Sequence, residues 1–83
     1  MIEIRFFAAL RERVGSDSLT VSPPDSVDTV AKLVAWLEEE PALAEALAAT
    51  PRRMVAVNEE LASEETTIAG GDVVALFPPV TGG

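Results

Sequence analysis

Eighty-three residues with a hydrophobic fraction of 48% describe one small domain, whose apolar residues are all needed to build a core. With no cysteine and no histidine, the chain has no disulfide, no Cys/His zinc site, no thiol nucleophile and no Ser-His-Asp triad. Fourteen acidic residues against six basic ones give a net charge of −8, which argues against nucleic acid, since phosphate binding needs clustered Lys and Arg. The acids either form a solvated face or suit docking to a basic partner.

The opening MIEIRFFAAL is broken by Glu3 and Arg5 and has no basic leader. No later run approaches the length of a membrane span, so the expectation is a soluble cytoplasmic protein, without membrane contact. Residues 2–8 alternate, with Ile2, Ile4 and Phe6 on one side and Glu3, Arg5 and Phe7 on the other, the pattern of a strand with one buried face. ALRERVG follows and is read as no more than a helical turn, closed by Gly15. Ser18–Val21 reads as a second strand ended by Pro23-Pro24, making a hairpin with a long connection. Val30, Leu33, Val34 and Leu37 recur at helical spacing, so residues 29–39 form an amphipathic helix with Asp28 as its expected N-cap. Glu38-Glu39-Glu40 suits that helix's C-terminus badly. Either these acids are merely solvated, or Pro41 starts a second short helix, PALAEALAA, whose N-terminus favours Glu40.

Arg53–Asn58 reads as a third strand, followed by a turn and a short edge piece around Leu61. Gly70-Gly71-Asp72 is a tight turn that calls for positive φ, and Asp72–Phe77 is the last strand, stopped by Pro78-Pro79. This order makes an α+β fold, a single mixed sheet with a helix packed across one face, the β-grasp arrangement of ubiquitin. The division expected is a domain over 1–77 and an extended tail over 78–83.

IRFFAALRERVG, VAVNEELA and the ending GDVVALFPPVTGG resemble the small sulfur-carrying subunits of molybdopterin synthase, a ubiquitin-related family that includes the carrier of thiamine synthesis and carriers for tRNA thiolation. FFAALRE and FPPVTGG resemble the molybdopterin members more than the others. The resemblance implies that an E1-like adenylyltransferase uses ATP to adenylate the carboxylate of Gly83, and that a sulfur donor then replaces AMP to leave a thiocarboxylate. It implies that the tail gives its sulfur to a pterin precursor in the large synthase subunit, within a heterotetramer of two large and two small subunits. No cofactor and no metal is expected on the chain itself.

The residues are consistent with that chemistry. A carboxylate carries sulfur only after its oxygen becomes a leaving group, and the acyl-sulfur product is nucleophilic at neutral pH. No side chain need act as acid or base, so the chain is expected to be a non-catalytic subunit. Pro78 and Pro79 favour a stiff, extended tail, and the residues from Pro78 to Gly83 span at most about 20 Å. Gly82 and Gly83 let a partner site close tightly around the terminus. Alternation places Phe7 and Phe77 outward, and parallel first and last strands put both near the root of the tail. With Leu61, Pro78, Pro79, Val80 and Thr81 they are expected to form a partner-binding patch, unless the ALRER segment or the second helix covers them. Arg5, Arg11 and Arg13 are either its rim or ordinary solvated charges. The competing readings are a carrier for another pathway and a ubiquitin-like modifier or binding module that never carries sulfur. A free-standing enzyme fits worst, because no acid/base constellation or phosphate-cradling loop is present.

Overall fold

In the computed structural model, which describes residues 1–79, eight elements follow in chain order. They are β1 (Ile2–Phe6), α1 (Ala8–Val14), β2 (Ser18–Val21), α2 (Val30–Leu37), α3 (Pro41–Ala48), β3 (Met54–Val57), β4 (Glu60–Leu61) and β5 (Val73–Phe77). The strands make one five-stranded sheet in the order β2-β1-β5-β3-β4. β1 pairs antiparallel with β2 and parallel with β5, while β3 pairs antiparallel with both β5 and β4. This is the expected β-grasp.

Strand alternation decides which side chains meet. Ile4 stands opposite Val74 and Phe6 opposite Leu76, and all four are almost completely buried. Ile2 on β1 joins them, and Leu19, Val21, Val55 and Val57 pack against their cluster. Val30, Leu33 and Leu37 of α2 and Leu43, Ala46 and Leu47 of α3 supply the opposing layer. Leu10 of α1 is fully buried with them. No charged or polar side chain among the described residues is buried. None of the described helices is long and apolar enough to cross a membrane.

Several local readings need correction. ALRERV forms a seven-residue helix rather than a single turn, because Leu10 anchors it in the core and tertiary packing outweighs the poor stability of short helices. Its end follows the expectation, with Gly15 left-handed at φ 83 and its N–H donating to the Arg11 carbonyl. β1 stops at Phe6 rather than residue 8, since Ala8 turns off the strand with φ 54. The N-cap of α2 is Thr29, not Asp28: the Thr29 hydroxyl accepts from the Lys32 N–H at 3.3 Å. Asp28 instead holds the Lys32 ammonium at 3.0 Å. α2 ends at Leu37 rather than 39, and Pro41 does begin α3, with Glu40 as its N-cap. In the turn before β5 only Gly71, at φ 92, takes positive φ, and Gly70 does not. The β3–β4 hairpin turns on Asn58 and Glu59 at φ 51 and 71, the two consecutive left-handed residues of a tight hairpin turn.

Candidate functional site

One face of the sheet is covered by helices, and among the described residues no helix covers the other. The residues that point away from the helices fall into cross-strand rows. Arg5 stands beside Ala75, Ala75 opposite Ala56, and Ala56 opposite Leu61. Phe77 stands opposite Met54, and extending the parallel register one step places Phe7 beside Phe77. The Phe7 N–H donates to the Leu76 carbonyl at 3.2 Å, which ties Phe7 to the end of β5. Two small alanines thus floor a shallow apolar surface, with phenylalanines on one side and Leu61 on the other.

The backbone sets Phe7 in place. Its extended dihedrals, φ −127 and ψ 153, keep it in the alternation of β1. Ala8 then adopts φ 54, a conformation disfavoured for any residue with a Cβ, and α1 leaves the sheet at once. The short α1 therefore folds over the core edge and leaves Phe7 partly exposed. Phe7 is 45% exposed and Leu61 72% exposed. Large apolar side chains so exposed, and joined by a continuous small-residue floor, form a candidate contact surface.

Phe77 faces the same way but is only half-buried, not openly exposed. It ends a strand flanked by Met54 of β3 on one side and Phe7 on the other, whereas Phe7 lies just past the end of β1 and Leu61 lies on the sheet edge. Pro78 is half-buried and Pro79 exposed. Val80, Thr81, Gly82 and Gly83, the rest of the expected site, lie outside the described residues. Met54, Ala56 and Ala75 were absent from the expected patch, although the alternation in RMVAVN and DVVALF already places them opposite Val55, Val57, Val74 and Leu76. What alternation alone does not reveal is that β3 lies directly against β5.

Charge rings this surface. The Arg5 guanidinium hydrogen-bonds the Glu3 carboxylate, and that contact raises its pKa above the ordinary arginine value. A groove of about 300 Å³ runs between Arg5, Phe7, Arg11 and Asp17. A second, of about 280 Å³, runs between Arg5, Phe7, Asn58 and Glu59. Both are shallow and open, and Phe7 is the ridge between them. Such a surface suits a partner's side chains better than an enclosed small molecule. Among the described residues no three acidic side chains come together as a metal site would require.

The comparisons with known proteins agree with this architecture. The family model described as ThiS family matches residues 4–83. The chain is 38% identical over 84 residues to the molybdopterin synthase sulfur carrier subunit of Escherichia coli strain K12, covering 100% of both. Among solved structures it is similar to SAMP1 of Haloferax volcanii, with a TM-score of 0.78 and 33% identity over 99% of this chain and 98% of that one. It is also similar to a chain in the complex of subunits 1 and 2 of the molybdopterin-converting factor of Helicobacter pylori. There the TM-score is 0.66 and the identity 29%, over 99% of this chain and 97% of that one.

Proposed function

Because the chain belongs to the ThiS family, we propose that it is a sulfur carrier of molybdenum cofactor biosynthesis whose sulfur rides on the C-terminal carboxyl of Gly83. The observation that carries this reading is the placement of Phe7 beside the end of β5, so that an exposed aromatic surface adjoins the root of the FPPVTGG segment. A docking surface beside a side-chain-free terminus is what a carrier needs: the surface supplies affinity and the terminus supplies the reacting group.

In this mechanism an E1-like adenylyltransferase, using ATP, attaches AMP to the Gly83 carboxylate. A sulfur donor displaces AMP and leaves the thiocarboxylate. The large subunit of a molybdopterin synthase then binds the sheet face and receives the tail, and the thiocarboxylate gives its sulfur to a pterin precursor. Two such transfers complete a dithiolene, in a heterotetramer of two large and two small subunits. The carrier itself is non-catalytic, holds no metal or cofactor, and works in the cytoplasm. The similarity to a subunit of the Helicobacter pylori complex supports a large-subunit partner. Pro78 and Pro79 stiffen the segment and lower the ordering cost of inserting it.

The test is to incubate the protein with ATP, sulfide and the extract of its own cells, then treat it with a thiol-alkylating reagent. Gain of sulfur nearly matches the mass of one oxidised methionine, and the chain has Met1 and Met54. Alkylation separates the two, because a chain without cysteine has no thiol. An ATP-dependent adduct on the terminal peptide is expected. Its absence, in an extract that loads a known carrier, sinks the reading. Pull-down of the large subunit of molybdopterin synthase, rather than a thiazole synthase or a tRNA-thiolating enzyme, fixes the recipient.

A second reading has its own observation. The 33% identity to SAMP1, a small archaeal modifier protein, over nearly both chains favours a modifier joined through Gly83 to lysines of other proteins. Branched peptides ending in the Gly82-Gly83 remnant would reveal that use.

A further inference from the structure

The chain has five arginines and a single lysine, and the fold segregates them. Arg5 stands beside Ala75, two residues before Phe77. Arg11 and Arg13 lie in the last turn of α1, which leaves the sheet directly after Phe7. Arg52 and Arg53 immediately precede Met54, the cross-strand partner of Phe77. Arg5, Arg11, Arg52 and Arg53 therefore lie toward the end of the sheet that holds Phe77, while Arg13 lines a groove with Ala42, Glu45 and Ala46 of α3.

Met1 and the single lysine, Lys32, are at the other end. Met1 precedes β1, and its carbonyl accepts from the Gly71 N–H at 2.7 Å, just before β5 begins. Lys32 is in the first turn of α2, which is tied to residues 64–67 through Val30 N–H to Thr66 carbonyl, Ala31 N–H to Glu64 carbonyl and a Thr29–Thr67 bridge. Five-residue strands separate these ends by about 17 Å at ~3.3 Å per residue.

Hydrogen bonding explains only two of the arginines. Arg53 donates to the Leu47 and Thr50 carbonyls at the end of α3, and Arg5 pairs with Glu3. Arg11, Arg13 and Arg52 are exposed and make no side-chain hydrogen bond among the described residues. Lysine would serve there equally in charge, and in α1 nearly equally in helix propensity. It differs in one chemical respect. A guanidinium stays protonated at neutral pH and has no free lone pair, whereas a lysine exchanges its proton and attacks activated acyl groups.

We propose that the arginines around the root of the tail are an acylation-resistant collar, which supplies positive charge at that root without placing a lysine amine there. This rests on the proposed adenylation of Gly83. In the reaction thereby avoided, a lysine Nζ lone pair attacks the carbonyl carbon of the acyl adenylate. The carbon–oxygen bond to AMP breaks, AMP leaves with the electron pair, the amine loses a proton to water, and an amide closes the chain on itself. Position 52 is two residues before the cross-strand partner of Phe77, and position 11 is four residues after Phe7, which bonds to Leu76. A lysine at either is tethered near the root of a tail that spans at most ~20 Å, which raises its effective concentration. Met1 is reached only by a tail running back fully extended along the sheet.

The test uses the full chain carrying an alkyl thioester on Gly83, a stable stand-in for the adenylate that needs no partner enzyme. Wild type, Arg52→Lys, Arg11→Lys and Lys32→Arg are held at mildly alkaline pH, and intact mass separates hydrolysis from cyclisation, which yields a species one water lighter than the free acid. Thermal melting checks that each variant is folded. Wild type and Lys32→Arg should hydrolyse, while Arg52→Lys and Arg11→Lys should cyclise at least about tenfold faster than wild type, through the new lysine in peptide mapping. Cyclisation of wild type as fast as the variants, or no gain in either variant, overturns the collar. Neither outcome touches the sulfur-carrier reading, which stands or falls on the alkylation of enzymatically loaded protein.

Discussion

Phe6 and Phe7 are adjacent and chemically identical, yet the fold gives them opposite work. Phe6 is 1% exposed and lies against Leu76 in the core, whereas Phe7 is 45% exposed on the far face. Phe6→Ala should cost about 3–5 kcal/mol in urea unfolding, the usual loss for a buried aromatic. Phe7→Ala should leave the unfolding midpoint nearly unchanged but weaken binding to the large subunit by tenfold or more, about 1.4 kcal/mol. Calorimetric titration against that subunit checks the second half. Unaltered affinity would remove Phe7 from the interface.

Asp72 shows how a single carboxylate ties down the start of β5. Its two oxygens accept from the Asn58 side-chain amide at 3.1 Å and the Ala69 N–H at 2.8 Å. These bonds, that of Asn58 foremost, hold its pKa below the ordinary carboxylate value. A carboxyl whose pKa is lowered by folding stabilises the protein above its unfolded pKa. That contribution disappears as pH falls through the lower folded value. Asp72→Asn should therefore be less stable than wild type at pH 7, and the gap should close as the solution is acidified below the ordinary carboxylate range. Urea midpoints measured across that range report it, and a gap independent of pH would assign the loss to the shape of the turn instead.

At the scale of elements, the N-terminus of α2 separates two neighbouring candidates. Thr29 caps the helix, while Asp28 makes only an exposed ion pair with Lys32. Thr29→Ala should lower stability by about 1 kcal/mol. Asp28→Ala should stay within about 0.5 kcal/mol, as exposed pairs contribute little. Reversal of that order in chemical denaturation would restore Asp28 as the cap. Both residues are good cap formers, so sequence alone had no means to choose between them; the choice is made by where the first helical N–H groups point.

Most strands and α2 were legible because period-two and period-3.6 patterns report directly which face is buried, whereas α3 was one of two open alternatives and rested on Pro41 as a helix start. The errors fell where a distant contact decides. α1 has one fully buried anchor, Leu10, and its length depends on a core that the local sequence does not describe. Ala8 leaves β1 in a left-handed conformation that its residue type does not announce. The outward direction of Phe77 followed from alternation, but its partial covering depends on β3 lying alongside, and non-local register is not written in either strand. The alanine floor was missed for the same reason: Ala56 and Ala75 gain meaning only as partners. Of the expected site, Phe7, Leu61, Phe77, Pro78 and Pro79 lie at or beside one sheet face, whereas the terminal residues rest on their chemistry alone.

For the whole molecule, the proposed function divides folding from chemistry along the chain. Among the described residues, every member of the buried cluster lies between Ile2 and Leu76, so the hydrophobic core they form is built before Pro78. Glycine has no side chain to bury, and a carrier of this kind should tolerate change at its terminus without loss of stability. Deletion of Gly83 should therefore leave the melting temperature within a degree or so of wild type, roughly the shift expected for a few tenths of a kcal/mol in a domain of this size. The same deletion should abolish ATP-dependent alkylation, since Gly82 then presents its carboxyl one residue, about 3.5 Å, short of where full-length Gly83 would place it. Binding to the large subunit through the Phe7 face should persist in part, because the surface is intact. Melting, loading and binding measured on one truncated protein thus separate three explanations. Loss of all three means the tail is part of the fold. Loss of loading with stability and residual binding retained means that the sheet docks and the terminus reacts.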